Sequence, residues 1–275
     1  MPSTYNEPRN TSEFLRSIGV PDMPARTSPF DPGYDAATVI SHLEQSRHLI
    51  SSLKISMACW MIANEAETRK KVRAARSLNV PVCTGGGPFE IAVAFGKLPE
   101  FLDLCADIGV THIEAGAGFT NMKMKPKDVV HLASERGLSV QFEVGEKHGG
   151  TFTADVVEEL LSQGRDWLDA GAQKIVVEGR ESAQNVGLFD GSGRLQPKFA
   201  ERFIEAFGME RAVFEAPNKS SQFALLNYFG PGVHLSNVRI EELLRVEIYR
   251  RGLHSDAFGH DNLRPKGPMH DSPNG

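Results

Sequence analysis

Short apolar runs alternate with amphipathic segments along most of the chain. The apolar runs are typical of buried strands, and the amphipathic segments are typical of helices. The pattern predicts seven strands, over residues 50–57, 80–84, 111–114, 138–144, 174–178, 212–215 and 233–236. A predicted helix follows each strand, over residues 64–78, 89–108, 126–136, 154–170, 197–207, 220–229 and 239–251. Strands that alternate with helices indicate a parallel sheet.

The start of this repeat is less regular than the rest. Residues 26–33 are loop-rich and either follow or replace a weak first strand, after which Asp35 caps a helix that extends to about His48. Gly96 and Pro99 can divide the helix at 89–108 into two pieces. With the weak first strand included, eight strand–helix units at this chain length favour an α/β fold of the (β/α)₈ TIM-barrel type.

An open doubly wound sheet is the weaker interpretation. The Gly85-Gly-Gly turn lacks the G-x-G-x-x-G spacing of a dinucleotide-binding loop. We therefore expect three regions: an N-terminal arm over 1–25, a catalytic barrel over 26–259 and a disordered tail over 260–275, which is rich in Pro, Gly, Asn and Asp.

Composition narrows the class of protein. The chain has 275 residues, of which 40% are hydrophobic and 24% charged, with a net charge of −5. That balance argues against a nucleic-acid surface, and no apolar run is long enough to span a membrane. The three cysteines form no CxxC pair and are odd in number, which favours a reducing, cytoplasmic compartment over a disulfide framework.

Four of the predicted strands end in a glutamate that precedes a small or loop-forming pair. These residues are Glu114, Glu143, Glu178 and Glu215. In a parallel barrel the carboxyl ends of the strands face one mouth, so the four acids form a ring where such folds place their active sites.

Neighbouring carboxylates repel one another unless a cation compensates their charge. Glutamates without a His or Cys partner set favour Mg²⁺ over zinc, and Glu114, Glu178 and Glu215 are the candidate metal ligands. The alternative is that some of the glutamates form buried ion pairs with Lys54, Arg180 or Lys219.

Basic and polar residues in the nearby loops suggest an anionic substrate. The candidate substrate-binding residues are Arg180, Lys219, Ser220, Asn237 and Arg251. Lys219 and Ser220 begin a predicted helix and could cradle a phosphate. The alternative for Lys219 is an ordinary surface lysine at the start of a helix. The alternative for Arg251 is an arginine in a last helical turn, where its charge interacts favourably with the helix dipole.

Lys147 lies just past a strand end, in the glycine-flanked loop Glu143-Val-Gly-Glu146-Lys147-His148-Gly-Gly. Positive neighbours could lower its pKa enough for acid–base catalysis near neutrality. The candidate catalytic residues are Lys147, Glu143 and Lys54. A flexible loop lysine is the alternative for Lys147.

Several segments together resemble the phosphosulfolactate synthase family, over about residues 45 to 260. These are Lys54-Ile-Ser, Gly85-Gly-Gly-Pro-Phe89-Glu90, Glu143-Val-Gly-Glu-Lys147, Glu178-Gly-Arg-Glu-Ser182, Gly187-Leu-Phe-Asp190, Phe214-Glu-Ala-Pro-Asn-Lys219-Ser and Arg250-Arg-Gly-Leu-His-Ser-Asp256-Ala-Phe-Gly259. The family also includes heat-stress-associated proteins of plants. The resemblance implies an Mg²⁺-dependent barrel enzyme that adds sulfite to phosphoenolpyruvate, with Lys147 as the proton donor.

The chain departs from this family at several positions, including Gly87-Pro88 after the Gly-Gly turn and three single residues. The family usually has an acidic residue where Ala117 stands, a basic residue where Glu146 stands and an asparagine where His234 stands. Two other interpretations therefore stay open. One is a different enolising lyase or aldolase, in which Lys54 or Lys147 could form a Schiff base. The other is a non-catalytic stress-associated barrel. A homo-oligomer is expected, with the N-terminal arm as a candidate contact.

Overall fold

Eight parallel strands close into a barrel in the computed structural model, which describes residues 10–120 and 124–264. The strands are β1 Thr27–Asp31, β2 Leu53–Ile55, β3 Val82–Thr84, β4 His112–Gly116, β5 Ser139–Val144, β6 Ile175–Val177, β7 Ala212–Glu215 and β8 His234–Arg239. Each strand pairs with the next one in sequence, and β1 pairs with β8. The prediction of a TIM barrel is confirmed, and the uncertain first strand is present as β1.

Helices surround this barrel. They are α1 Asn10–Ser17, α2 Ala36–Ser46, α3 Cys59–Ile62, α4 Glu65–Ser77, α5 Gly86–Ala94, α6 Leu98–Ile108, α7 Pro126–Ser134, α8 Ala154–Ala170, α9 Pro197–Phe207, α10 Lys219–Phe229 and α11 Leu243–Arg250. The helix predicted at 89–108 is two helices, because the chain turns through a left-handed conformation at Gly96. The last helix begins four residues later than predicted, since β8 continues to Arg239 and a 3₁₀ turn follows it.

Local sequence signals account for where several helices begin. Asp35 accepts a hydrogen bond from the Thr38 backbone N–H at 3.0 Å, as predicted for the cap of α2. Asn218 and Ser221 form a reciprocal capping box at the start of α10. This cap fixes the direction in which α10 leaves the end of β7, close to Glu215.

The core fills the barrel and the layer between strands and helices, where aliphatic and aromatic side chains are almost fully buried. Residues 260–264, at the start of the predicted tail, contact the barrel: the Asn262 amide donates to the Asn227 carbonyl at 2.7 Å. Residues 265–275 lie outside the described part of the chain. None of the described helices combines the length and hydropathy that a membrane span requires.

Candidate active site

A cavity of about 640 Å³ opens at the carboxyl ends of the strands. Its volume lies within the range of roughly 300–1,000 Å³ that is common for small-molecule sites. The structure brings most of the predicted site residues to this cavity, namely Lys54, Glu114, Glu143, Lys147, Glu178, Arg180, Glu215 and Asn237. The prediction that the four strand-end glutamates converge on one mouth is therefore confirmed.

Lys54, the middle residue of β2, bridges two of the glutamates. Its Nζ lies 2.7 Å from Glu114 Oε1 and 3.5 Å from Glu215 Oε1. The lysine is 7% exposed, and the two glutamates are 0% and 3% exposed. This cluster of one ammonium and two carboxylates is thus removed from solvent inside the barrel.

Lys147 bridges the other two glutamates from the loop after β5. Its Nζ lies 3.1 Å from Glu143 Oε1 and 3.1 Å from Glu178 Oε2. Unlike Lys54, it is partly accessible, because its side chain is 28% exposed while both carboxylates are buried. Lys147 is therefore the bridging ammonium that a molecule in the cavity reaches more readily.

Backbone and amide donors hold three of the carboxylates in place, and Glu178 accepts the Arg180 N–H at 2.7 Å. Glu114 accepts the Gly86 N–H at 3.1 Å and the Gln141 side-chain amide at 2.8 Å. Glu215 accepts the N–H groups of Gly179 and Arg180 at 3.0 and 3.2 Å. Because donors on different elements fix these acids, the arrangement is organised before any ligand binds.

The two lysines keep their charge despite burial. Burial opposes the ammonium of Lys54, but the attraction of Glu114 and Glu215 outweighs it and raises the pKa above its ordinary value. Burial likewise opposes the charge of Lys147, and Glu143 and Glu178 outweigh it and raise its pKa. The predicted lowering of the Lys147 pKa is wrong, because the nearest charged groups are carboxylates and not cations.

The pKa values of Glu143 and Glu215 are shifted in opposite directions. Burial would raise the pKa of Glu143, but Lys147 and Lys54 outweigh it and hold this pKa below its usual value. For Glu215, burial and the repulsion of Glu178 raise the pKa well above its usual value. Environments that separate the pKa values of neighbouring acids are characteristic of acid–base sites.

The predicted metal site has suitable donor atoms but not a ready set of ligands. Carboxylate oxygens are the ligands that Mg²⁺ prefers. In residues 10–120 and 124–264, however, no group of three or more His, Cys, Asp or Glu side chains is placed to hold a metal ion. The ammonium groups of Lys54 and Lys147 stand between the carboxylates instead.

The rim of the cavity carries basic and polar groups. Arg180 and Asn237 lie there as predicted, and the Asn237 amide donates to the Arg180 carbonyl at 3.5 Å. Arg239 also lines the cavity but was missed, because β8 was expected to end at residue 236. Its position two residues after Asn237 is the feature of the sequence that could have identified Arg239.

Three non-glycine residues that line the cavity have a left-handed backbone. Met57, Arg180 and Asn237 have φ values of 49°, 53° and 56°. Such conformations cost free energy and persist where the surrounding structure enforces them, often at functional sites.

Three predicted substrate-binding residues do not line the cavity. Lys219 points to solvent and pairs with Asp256 at 3.3 Å, and Ser220 lines a different surface depression. Arg251 pairs with Glu247, which accepts the hydroxyl of Thr27 at the first residue of β1. Arg251 therefore lies at the amino ends of the strands, away from the mouth, because α11 runs back along the barrel.

The three single residues that differ from the family pattern, Ala117, Glu146 and His234, lie in different parts of the barrel. Ala117 and Glu146 are exposed in the loops after β4 and β5, at the carboxyl ends of those strands. His234 is buried at the first residue of β8, next to Arg26. The histidine is thus at the opposite end of the barrel from the cavity.

The sequence of this chain is similar to phosphosulfolactate synthases. The family model described as (2R)-phospho-3-sulfolactate synthase (ComA) matches residues 21–256. A phosphosulfolactate synthase of Methanocaldococcus jannaschii is 29% identical over 85% of this chain and 93% of its own length. One from Methanothermobacter thermautotrophicus is also 29% identical, over 92% of this chain and all of the relative.

Among solved structures, the carboxyl transferase domain of Rhizobium etli pyruvate carboxylase is similar with a TM-score of 0.57. It is 12% identical, and the similarity covers 82% of this chain and 41% of the other. At that level of identity the likeness supports the barrel fold alone.

Proposed function

The chain belongs to the phosphosulfolactate synthase family of carbon–sulfur bond-forming lyases, and from this premise we propose that it adds sulfite to phosphoenolpyruvate to give (2R)-phospho-3-sulfolactate. One observation carries the proposal beyond family membership. Two charged lysines each stand between a pair of buried glutamates on the wall of a single cavity. That arrangement supplies both a proton and fixed positive charge to a small anion.

In the proposed reaction the sulfur lone pair attacks the methylene carbon of phosphoenolpyruvate. The electrons of the carbon–carbon double bond move towards the carboxylate, and an enediolate forms. The ammonium of Lys54 is suited to stabilise this developing charge, since it is buried and already oriented by Glu114 and Glu215.

The second step is protonation of the central carbon. Lys147 is the proposed donor because it carries a proton and is accessible from the cavity. Its raised pKa does not prevent this step, since the carbon of an enediolate is far more basic than an amine. Glu143 and Glu178 would then help the neutral amine to regain a proton from solvent.

Mg²⁺ dependence is a separate part of the proposal. The two clusters contain four glutamates and two lysines, so negative charge exceeds positive charge there when all four glutamates are ionised. A divalent cation would offset this excess, and Glu114, Glu178 and Glu215 are the residues proposed to hold it. To do so, they would have to exchange their contacts with Lys54 and Lys147 for the cation. The proton movements proposed above require only the lysines and glutamates.

The basic and polar rim of the cavity suits the oxyanion groups of the substrates. We propose that Arg180, Asn237 and Arg239 contact phosphate, carboxylate or sulfite, because they line the same cavity as Lys147. Arginine suits this role since its planar group can bind oxyanions through two hydrogen bonds. A homo-oligomer and a cytoplasmic location also stay predictions from the sequence.

The test is incubation with phosphoenolpyruvate, Mg²⁺ and a panel of nucleophiles that includes sulfite, with products read by mass spectrometry. We expect a product with the combined mass of phosphoenolpyruvate and bisulfite, and weaker turnover after chelation. A covalent adduct trapped by borohydride would instead support a Schiff-base aldolase. Absence of both product and phosphoenolpyruvate binding would support the non-catalytic interpretation.

A further inference from the structure

We propose that Glu90 is a positioning residue that sets the place of Lys147 through the loop after β4. This inference rests on the proposed function, because Lys147 is the proton donor there. Glu90 lies within α5 and is 1% exposed, although it is neither at a strand end nor among the cavity-lining residues.

The carboxylate of Glu90 binds one short loop at four points. Its Oε1 accepts the Gly118 N–H, and its Oε2 accepts the N–H groups of Phe119 and Thr120 and the hydroxyl of Thr120, each at 3.0 Å. In the described part of the chain no lysine or arginine forms an ion pair with Glu90. Its charge is thus matched to the backbone donors of this loop.

The same loop contacts Lys147 directly. The Gly118 carbonyl accepts the Lys147 backbone N–H at 2.9 Å. A β-carbon on Gly118 would lie 3.1 Å from Lys147 Cγ, so the loop also packs against the lysine side chain. Movement of Gly118 therefore moves both the backbone and the side chain of the proposed donor.

The other side of Lys147 is held independently. The Arg180 guanidinium donates to the Lys147 carbonyl at 2.8 Å. The lysine is thus held at its N–H by the Gly118 loop and at its carbonyl by the loop after β6. Of these two supports, the first depends on Glu90.

A carboxylate suits this position better than an amide does. Both oxygens of Glu90 accept hydrogen bonds from donors. Glutamine would turn its NH₂ group towards the N–H of Gly118 or towards those of Phe119 and Thr120, so at least one donor would lose its partner. The loop would then shift away from Lys147.

The test compares Glu90→Gln with wild type in steady-state kinetics and in hydrogen exchange at the Lys147 amide. We expect kcat to fall about 10- to 100-fold while the KM for phosphoenolpyruvate changes little, since a displaced donor slows chemistry more than binding. We also expect faster exchange of the Lys147 amide, read by mass spectrometry with fragmentation to single residues.

Two further variants make the test specific. Gly118→Ala keeps Glu90 but crowds Lys147, so it should lower kcat similarly even if Glu90→Gln does not fold. Asp190→Asn is the control, because Asp190 also accepts two backbone N–H groups and a hydroxyl, from Ser192 and Arg194, although it pairs with the Arg194 side chain at 3.2 Å as well. It should leave both kcat and the exchange of Lys147 near their wild-type values.

A wild-type kcat in Glu90→Gln, or a lower kcat without faster exchange at Lys147, would overturn the positioning role. A drop of the same size in Asp190→Asn would overturn it too. Inactivity of wild type with phosphoenolpyruvate and sulfite would instead contradict the proposed function, while the exchange measurement would still decide whether Glu90 positions Lys147.

Discussion

Both ends of the barrel bury ionic groups, but the two clusters differ in charge balance and in the space beside them. At the amino ends of the strands, Glu247 accepts the Thr27 hydroxyl at 2.5 Å and contacts Arg250 and Arg251. Arg250 also donates to the carbonyls of Pro231 and Val233, at 2.7 Å each. At the carboxyl ends, four glutamates share two lysines beside a cavity of about 640 Å³.

The difference separates a structural cluster from a reactive one. The Arg250 guanidinium donates hydrogen bonds to protein groups, and the side chain is buried. Around Lys147, carboxylates are in excess and an accessible ammonium faces open space. Buried charge alone therefore does not mark an active site, whereas charge left unbalanced next to a cavity does.

The largest expected effect is on turnover at the mouth. Lys147→Met should lower kcat by about 10²- to 10⁴-fold, the usual contribution of a positioned acid. Phosphoenolpyruvate binding should stay close to wild type, because the rim residues remain. Steady-state kinetics and calorimetric binding measure the two quantities, and equal losses in both would argue against a role as proton donor.

At the opposite end the expected effect is on stability. Arg250→Met should lower the free energy of unfolding by about 3–5 kcal/mol, because Glu247 and the carbonyls of Pro231 and Val233 would each lose a buried donor. Denaturant unfolding measures this change, and kcat of the folded fraction should be unchanged. Lower kcat with normal stability would erase the distinction between the two ends.

Acid should also weaken the amino end, through His234. Burial, with Lys174 and Arg26 nearby, lowers the pKa of His234 to about 3. Between about pH 6.5 and that value, the unfolded chain binds a proton that the folded chain excludes, so stability falls by about 1.4 kcal/mol per pH unit for this group.

His234→Asn should remove the contribution of this histidine to the change of unfolding free energy with pH. Unfolding free energies at pH 7, 6, 5 and 4 measure it. Some acid sensitivity should persist, because burial also lowers the pKa of His112 to about 4. An unchanged slope in the variant would mean that His234 does not stay neutral in the folded protein.

The smallest effect is expected for Lys219, outside the cavity near the mouth. Its ion pair with Asp256 is half exposed, and such pairs contribute roughly 0–1 kcal/mol. Lys219→Ala should therefore change kcat/KM and stability only slightly. A large rise in KM for phosphoenolpyruvate would instead indicate that Lys219 binds the substrate phosphate, as the sequence predicts, and that the site extends beyond the cavity.

Strand periodicity was sufficient to predict the barrel, including the convergence of Glu114, Glu143, Glu178 and Glu215. Parallel strands all point the same way, so residues at equivalent strand ends must meet. Arg251 was assigned to the mouth although it ends a helix that returns to the other end. That error could have been avoided, since a helix after a parallel strand runs antiparallel to it.

The sequence alone determines the order of the strands, the identity of the acids and the presence of Lys54 and Lys147 near them. The reason is that the pattern of strands and helices fixes which residues lie at the strand ends. Which carboxylate faces which ammonium, and hence the raised pKa of Lys147, was decided only by the tertiary structure. Charge interactions depend on distances of a few ångströms between residues far apart in the chain. No pattern of neighbours along the sequence specifies those distances.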